Sequence, residues 1–186
     1  MKSLNFKPYT FYLLLCLLLT MSMKCKKDET GIEALPPATQ EGKRTFGCLV
    51  NGKVFLPKGN LSNPPIQCSY QLSNNKYNFL LSIANSSDPN IFKSVSLRYM
   101  GNGMNTGKFI LEKYLDNQFN ADYSEIPSNL VFNEFFTNEN FKGEIIITKF
   151  DQVNQIISGT FWFDAVNNKG EKVEVRDGRF DMTYTK

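Results

Sequence analysis

Residues 156–184, IISGTFWFDAVNNKGEKVEVRDGRFDMTY, decide the fold of this chain. From Ile157 to Ala165 every second residue is apolar or small, which is the period of a strand with one buried face. The polar run at 167–170, NNKG, is typical of a turn. The alternation resumes at Val173, so the sequence predicts a long antiparallel hairpin against which the other segments pack.

The return strand of this hairpin changes phase along its length. The apolar positions that end at Val175 and those that begin at Phe180 point to opposite faces, and one strand cannot bury both sets without a shift of one residue. Asp177-Gly178 is the place that the sequence offers, because a glycine at positive φ lets a bulge insert one extra residue. We therefore predict a β-bulge at Asp177 and Gly178.

The rest of residues 45–186 repeats the two-residue period. Alternating segments are separated by turn signals, of which Asn51-Gly52 is the strongest short hairpin signal. No segment has a helical period. About ten strands with this spacing predict one antiparallel β-sandwich or barrel-like domain over residues 45–186.

Residues 1–24 are typical of a signal peptide. Lys2 and Lys7 precede the apolar run FYLLLCLLL, which is much shorter than the roughly 20 residues that a membrane-spanning helix needs. Cys25 follows, and the leader resembles that of a bacterial lipoprotein, in which this cysteine is acylated after cleavage. A cleaved protein that is secreted without a lipid is the alternative.

The residues after Cys25, Lys-Lys-Asp-Glu, resemble the surface-export tag of Bacteroidota lipoproteins. Residues 25–44 show no apolar period and contain Pro36-Pro37, which predicts a flexible, lipid-attached tether. We therefore expect a lipid-anchored protein of the outer membrane whose domain faces the periplasm or the cell exterior.

Composition argues against several function classes. The chain has no histidine, which removes the commonest general base and the commonest metal ligand. Lys2, Lys7 and Lys24 lie in the leader, so 18 of the 21 basic residues remain against 18 acidic ones. A neutral chain gives no electrostatic signal for nucleic acid, and membrane contact is expected only through the lipid anchor. We predict no catalytic residue, cofactor or metal site.

Cys48 and Cys68 both fall on the inward phase of early strands. An exported protein meets an oxidising compartment, so we predict a disulfide between them. Two buried free thiols are the alternative.

Trp162 is the one tryptophan, and it falls on the polar phase between Thr160 and Asp164. An outward indole beside a hydroxyl and a carboxylate is typical of a platform for a sugar ring, so Trp162 is the predicted ligand contact. The alternative is that another part of the chain covers this face. The acidic residues of the hairpin are Glu171, Glu174, Asp177 and Asp181. They suggest a carboxylate-based hydrolase, although outward charges on an exposed sheet also explain them.

Several segments carry a resemblance to a known family: residues 45–53, Gly107-Lys108-Phe109, residues 156–163 and Asp177-Gly178-Arg179-Phe180. Together with the leader, they make the chain similar to an uncharacterised family of Bacteroidota lipoproteins with a domain of unknown function. The resemblance implies an envelope lipoprotein with a β domain and carries over no catalytic or binding residue. We therefore expect a non-enzymatic binding or interaction module, with a glycan or an envelope protein as partner. A carboxylate hydrolase and a purely structural envelope component are the alternatives.

Overall fold

The computed structural model describes residues 31–59 and 64–186. These residues form eleven strands and one short 3₁₀ turn, Gly31–Ala34, with no α-helix among them, so the predicted all-β class is confirmed. The strands are β1 (Thr45–Val50), β2 (Lys53–Phe55), β3 (Ile66–Ser73), β4 (Lys76–Asp88), β5 (Ile91–Gly101), β6 (Gly107–Glu112), β7 (Gln118–Pro127), β8 (Asn133–Phe136), β9 (Gly143–Asp151), β10 (Ile156–Val166) and β11 (Lys172–Thr183).

The centre of the sheet is a closed ring of five strands. β10 pairs with β9, β9 with β6, β6 with β7, β7 with β8, and β8 returns to β10. All of these pairings are antiparallel except that of β6 with β7, which is parallel. Because closure gives each of these strands a neighbour on both sides, the core of the domain is barrel-like rather than a sandwich.

Two groups of strands extend from this ring. β11, β1 and β2 continue from β10, whereas β5, β4 and β3 continue from β7. Thr185, just after β11, joins the two groups, since its carbonyl accepts a hydrogen bond from the Tyr70 amide at 2.8 Å and its amide donates to the Cys68 carbonyl at 3.1 Å. The wall formed by these strands therefore closes around a shared interior.

All eleven strands contribute inward side chains to a single hydrophobic core. On β10 the buried side chains include Ile157, Phe161, Phe163 and Ala165, as the two-residue period predicts. Leu72, which has the inward phase on β3, is 61% exposed, because it lies at the turn end of the strand beyond the contact with Thr185.

β11 contains one more residue than β10 at the point where its phase changes. Arg176 and Asp177 both lie opposite Trp162, and the pairing of β1 with β11 is interrupted at the same place. The extra residue allows Val175 and Phe180 to point into the same core.

The left-handed backbone at this bulge belongs to Asp177, whose φ is 53°, and not to Gly178. The expectation that the glycine supplies the positive φ is therefore wrong. Aspartate is one of the few side chains that adopt this region readily. Gly178 is required for a different reason: a Cβ there would lie 2.5 Å from the Cζ atom of the buried Phe161 ring.

Residues 35–43, here called the strap, lie against the outer face of the sheet. Leu35 is buried, and Pro36 packs so close to Gly47 that a Cβ on this glycine would lie 2.6 Å from the proline Cδ. The flexible tether predicted for residues 25–44 is therefore packed against the sheet along residues 35–43. The predicted signal peptide (residues 1–24) and Cys25 lie outside the described residues.

Cys48 and Cys68 are both buried free thiols, so the predicted disulfide is wrong. Cys48 lies beside the bulge of β11, whereas the Cys68 carbonyl accepts a hydrogen bond from the Thr185 amide. Measured along β11 and the residues that follow it, the two cysteines lie beside positions about seven residues apart, or on the order of 20 Å. A disulfide needs Cα atoms within roughly 7 Å of each other. Two cysteines that both point into the core can still be too far apart along the strands, and Cys48 and Cys68 are.

Candidate functional site

An open groove of about 440 Å³ lies on the outer face of the sheet, where β9, β10 and β11 run side by side. Trp162, which is 41% exposed, and Thr160 line it from β10, and Ile146 lines it from β9. The bulge of β11 and Ala38 of the strap complete the lining. The groove therefore combines a flat aromatic surface with polar groups at its rim.

The bulge aims Arg176 at the indole of Trp162. The Arg176 guanidinium carbon lies 5.4 Å from the Trp162 ring centroid, within the range of a cation–π contact. The same guanidinium donates to Asp164 Oδ1 at 2.5 Å and to the Phe163 carbonyl at 3.0 Å. Arg176 is thus fixed by several hydrogen bonds and holds the indole in place at one side of the groove.

The strap is fixed beside the groove by the carboxylate of Asp181. This buried side chain accepts hydrogen bonds from the Thr39 hydroxyl at 2.6 Å, the Gly42 amide at 2.7 Å and the Glu41 amide at 3.0 Å, and from Ser158 Oγ at 2.8 Å. Burial alone would raise the pKa of the Asp181 carboxyl, but these hydrogen bonds outweigh it and hold the pKa well below its usual range. Asp181 is therefore an anionic anchor for the strap.

The formal charges of the groove lining cancel, since Glu144 and Asp177 are acidic and Arg176 and Arg179 are basic. Lys108 on β6 pairs with Glu144 at 3.0 Å, and Arg176 pairs with Asp164. Arg179 donates from Nε to the Asp177 carbonyl at 3.3 Å, which places this cation next to the carboxylate-bearing residue of the bulge. The groove consequently has little net charge.

The groove brings together three of the residues that the sequence singled out. Trp162, Asp177 and Gly178 all line it. Cys48 and Cys68 do not, because both point into the core.

Sequence reasoning missed Arg176, Arg179, Glu144 and the strap. A signal for Arg176 and Arg179 was present, since a bulge at Asp177 sets both beside the outward face of Trp162. No signal placed Glu144 or the strap there, because their position depends on which strands pair.

The four acidic residues of the hairpin lie in four different environments. Glu171 accepts a hydrogen bond from Asn167 Nδ2 at the turn, and Glu174 lies 3.6 Å from Arg176. Asp181 is covered by the strap, and only Asp177 lines the groove. They do not form a paired-carboxylate site among themselves.

Within residues 31–59 and 64–186, no three His, Cys, Asp or Glu side chains are grouped closely enough to hold a metal ion. The same part of the chain contains no helix with the length and apolar content needed to cross a membrane.

One protein-family model matches residues 69–182, more than half of the chain, and its description is Domain of unknown function (DUF6252). No curated protein matches the chain. No solved structure matches it either.

Proposed function

Because the chain belongs to the family described as Domain of unknown function (DUF6252), whose description names no activity, we propose from the geometry of the groove that it is a non-enzymatic glycan-binding module. The observation that carries this proposal is the partly exposed Trp162 inside a concave, polar-rimmed surface.

A sugar ring presents apolar C–H groups on its face and hydroxyls at its edge. The exposed indole face of Trp162 suits the first, since a large, rigid aromatic ring adds contact area at small entropic cost. The Thr160 hydroxyl, the Asp177 carboxylate and the Arg179 guanidinium offer donors and acceptors for the second. Arg176 stiffens the indole before any ligand arrives, which favours binding by pre-organisation.

We further propose that the protein is an envelope lipoprotein of the outer membrane, acylated at Cys25, in a Bacteroidota-type cell. The apolar leader and its resemblance to lipoprotein leaders support this location. The packed segment starts near Gly31, so the six residues from Cys25 span at most about 20 Å. An acylated protein would thus hold the start of its packed domain close to the lipid surface.

A glycan array probed with the native chain and with Trp162→Ala tests the binding function. Native protein is expected to bind a defined subset of glycans, and Trp162→Ala to lose at least about tenfold in affinity because the stacking surface is gone. Leu72→Ala on β3 is a matched control, since Leu72 is exposed but outside the groove. Equal binding by all three proteins would refute the proposal.

A carboxylate hydrolase is the second candidate, and one observation favours it. Glu144 from β9 and Asp177 from β11 line the groove on either side of β10. Their backbones are two strand spacings apart, roughly 10 Å, a spacing from which the side chains can reach the carboxyl separation of inverting glycosidases, roughly 6.5 to 9.5 Å. Release of reducing ends from a bound glycan, abolished by Glu144→Gln and by Asp177→Asn alike, would support hydrolysis; binding without release supports the module.

A further inference from the structure

We propose that the groove binds an internal stretch of a linear, uncharged oligosaccharide that runs across β11, β10, β9 and β6, with Ile110 as a second contact beyond Trp162. The inference rests on the proposed glycan-binding function and adds the class of glycan and its direction on the sheet.

The direction follows from what lies on either side of the groove. Along β10 the outward side chains alternate with buried ones, in the order Ser158, Thr160, Trp162 and Asp164. The strap covers the Ser158 end through Asp181, and the ion pair with Arg176 occupies the Asp164 end. Both ends are blocked along the strand, so a ligand that extends beyond Trp162 has to cross the strands.

The floor of the groove continues in that crossing direction onto β6. Trp162 is paired with Glu144, and Glu144 is paired with Ile110, so the three side chains form one outward row across three strands. Ile110 is 56% exposed, so its side chain offers apolar surface beyond the groove lining. Two strand spacings, about 10 Å, separate it from Trp162, which is more than one sugar ring spans. The row therefore fits successive rings of one chain.

The absence of net charge along the same row specifies the ligand further. Lys108 and Glu144 neutralise each other at 3.0 Å, and the Arg176 charge is neutralised by Asp164. A carboxylated or sulfated glycan would need an excess of cations, which a lining with two acidic and two basic side chains does not supply, whereas hydroxyl groups can donate to the carboxylates and accept from the guanidinium groups. An uncharged chain is the ligand that this surface fits.

The test uses purified native chain and length series of β-linked glucose, mannose and N-acetylglucosamine oligomers, from one to six units, with oligogalacturonate as the acidic comparison. We expect affinity for one of the neutral series to rise at least tenfold from one unit to four and then to level off. Oligogalacturonate is expected to bind at least tenfold more weakly than the neutral tetramer.

Two substitutions separate this inference from the proposed function. Trp162→Ala should weaken binding at every length, whereas Ile110→Ala should weaken the tetramer about three- to tenfold and leave the monomer and dimer unchanged. Leu72→Ala is the control at an exposed apolar position outside the groove. Binding that is sensitive to Trp162 but not to Ile110 or to chain length, or that prefers oligogalacturonate, overturns the inference alone. Binding insensitive to Trp162 overturns the proposed function as well.

Discussion

Asp177 and Gly178 each meet a different structural requirement of the bulge. Asp177 adopts the left-handed backbone, and Gly178 leaves room for the Phe161 ring. Gly178→Ala is therefore expected to lower the free energy of unfolding by about 2 kcal/mol, because a Cβ 2.5 Å from a buried ring forces a shift in a packed core. Asp177→Gly is expected to change it by less than about 0.5 kcal/mol, since both residues accept this φ. Urea unfolding of the three proteins measures both; the reverse ranking would show that the Asp177 side chain, and not the space at Gly178, stabilises the bulge.

The thiols of Cys48 and Cys68 are predicted to be unreactive in the folded protein. Burial raises the pKa of the Cys68 thiol to about 12, although the charge of Arg44 opposes the shift, and burial raises the pKa of Cys48 further. We expect iodoacetamide at pH 8 to leave both residues unmodified in the native protein and to alkylate both in urea without reductant. Mass spectrometry reads out both states. Failure of alkylation in urea until reductant is added would mean that the two cysteines are bonded after all.

At the scale of the element, the strap depends on one carboxylate. Asp181→Asn removes the charge that receives the Thr39, Glu41, Gly42 and Ser158 hydrogen bonds. We expect a loss of about 2 to 3 kcal/mol in unfolding free energy and faster protease cleavage within residues 35–43. Asp164→Asn is the matched control: its partner Arg176 is partly exposed, so the loss there should stay below about 1 kcal/mol. A strap that stays protected in Asp181→Asn would show that Leu35 and Pro36 hold it without the carboxylate.

The same anchor predicts how stability depends on acid. The folded-state pKa of Asp181 is lowered, so its contribution is complete above the unfolded-state pKa of about 4 and is lost as pH falls towards the folded-state pKa. We expect native protein to lose stability below about pH 4, and Asp181→Asn to lose less over the same range. Denaturant midpoints measured between pH 2 and 7 give the two slopes. Parallel curves would assign the acid dependence to other carboxylates.

Individual strands could be predicted from the sequence, but their partners could not. The two-residue period of β10 marks its buried face directly, and it also placed Trp162 on the outward side. The closing contact of β8 with β10 is a single residue pair, Val166 with Phe136, which leaves no periodic signal. The strap was missed because its contacts are mostly hydrogen bonds from backbone amides to a distant carboxylate, and these impose no apolar pattern on residues 35–43. The outward position of the Trp162 indole could therefore be predicted from the local two-residue period, whereas the rest of the groove lining depends on long-range strand pairing.

At the scale of the whole molecule, the seam between β3 and the chain that follows β11 is one of two places where a single residue pair closes the wall of described strands, the other being β8 with β10. At this seam β3 meets only Thr185, through one bridge at Ser69. Because β3 is the last strand of its group, this bridge alone joins it to the strands around β11. The interior behind it includes the ring of Tyr70, which is stacked on Tyr77 and packed against Tyr184. Opening of the seam would therefore expose aromatic core surface to water.

Thr185→Pro tests whether this seam limits the stability of the barrel. Proline lacks the amide that donates to the Cys68 carbonyl, while the Thr185 carbonyl can still accept from Tyr70. We expect a loss of about 1 to 2 kcal/mol in unfolding free energy and a larger acceleration of hydrogen exchange at the Tyr70 amide than at the amides of the five-strand ring. Lys186→Pro, one residue further along, is the control and should alter neither. If exchange instead accelerates evenly over all strands, the domain opens only by global unfolding, and the single bridge at Thr185 is as secure as the extended ladders around it.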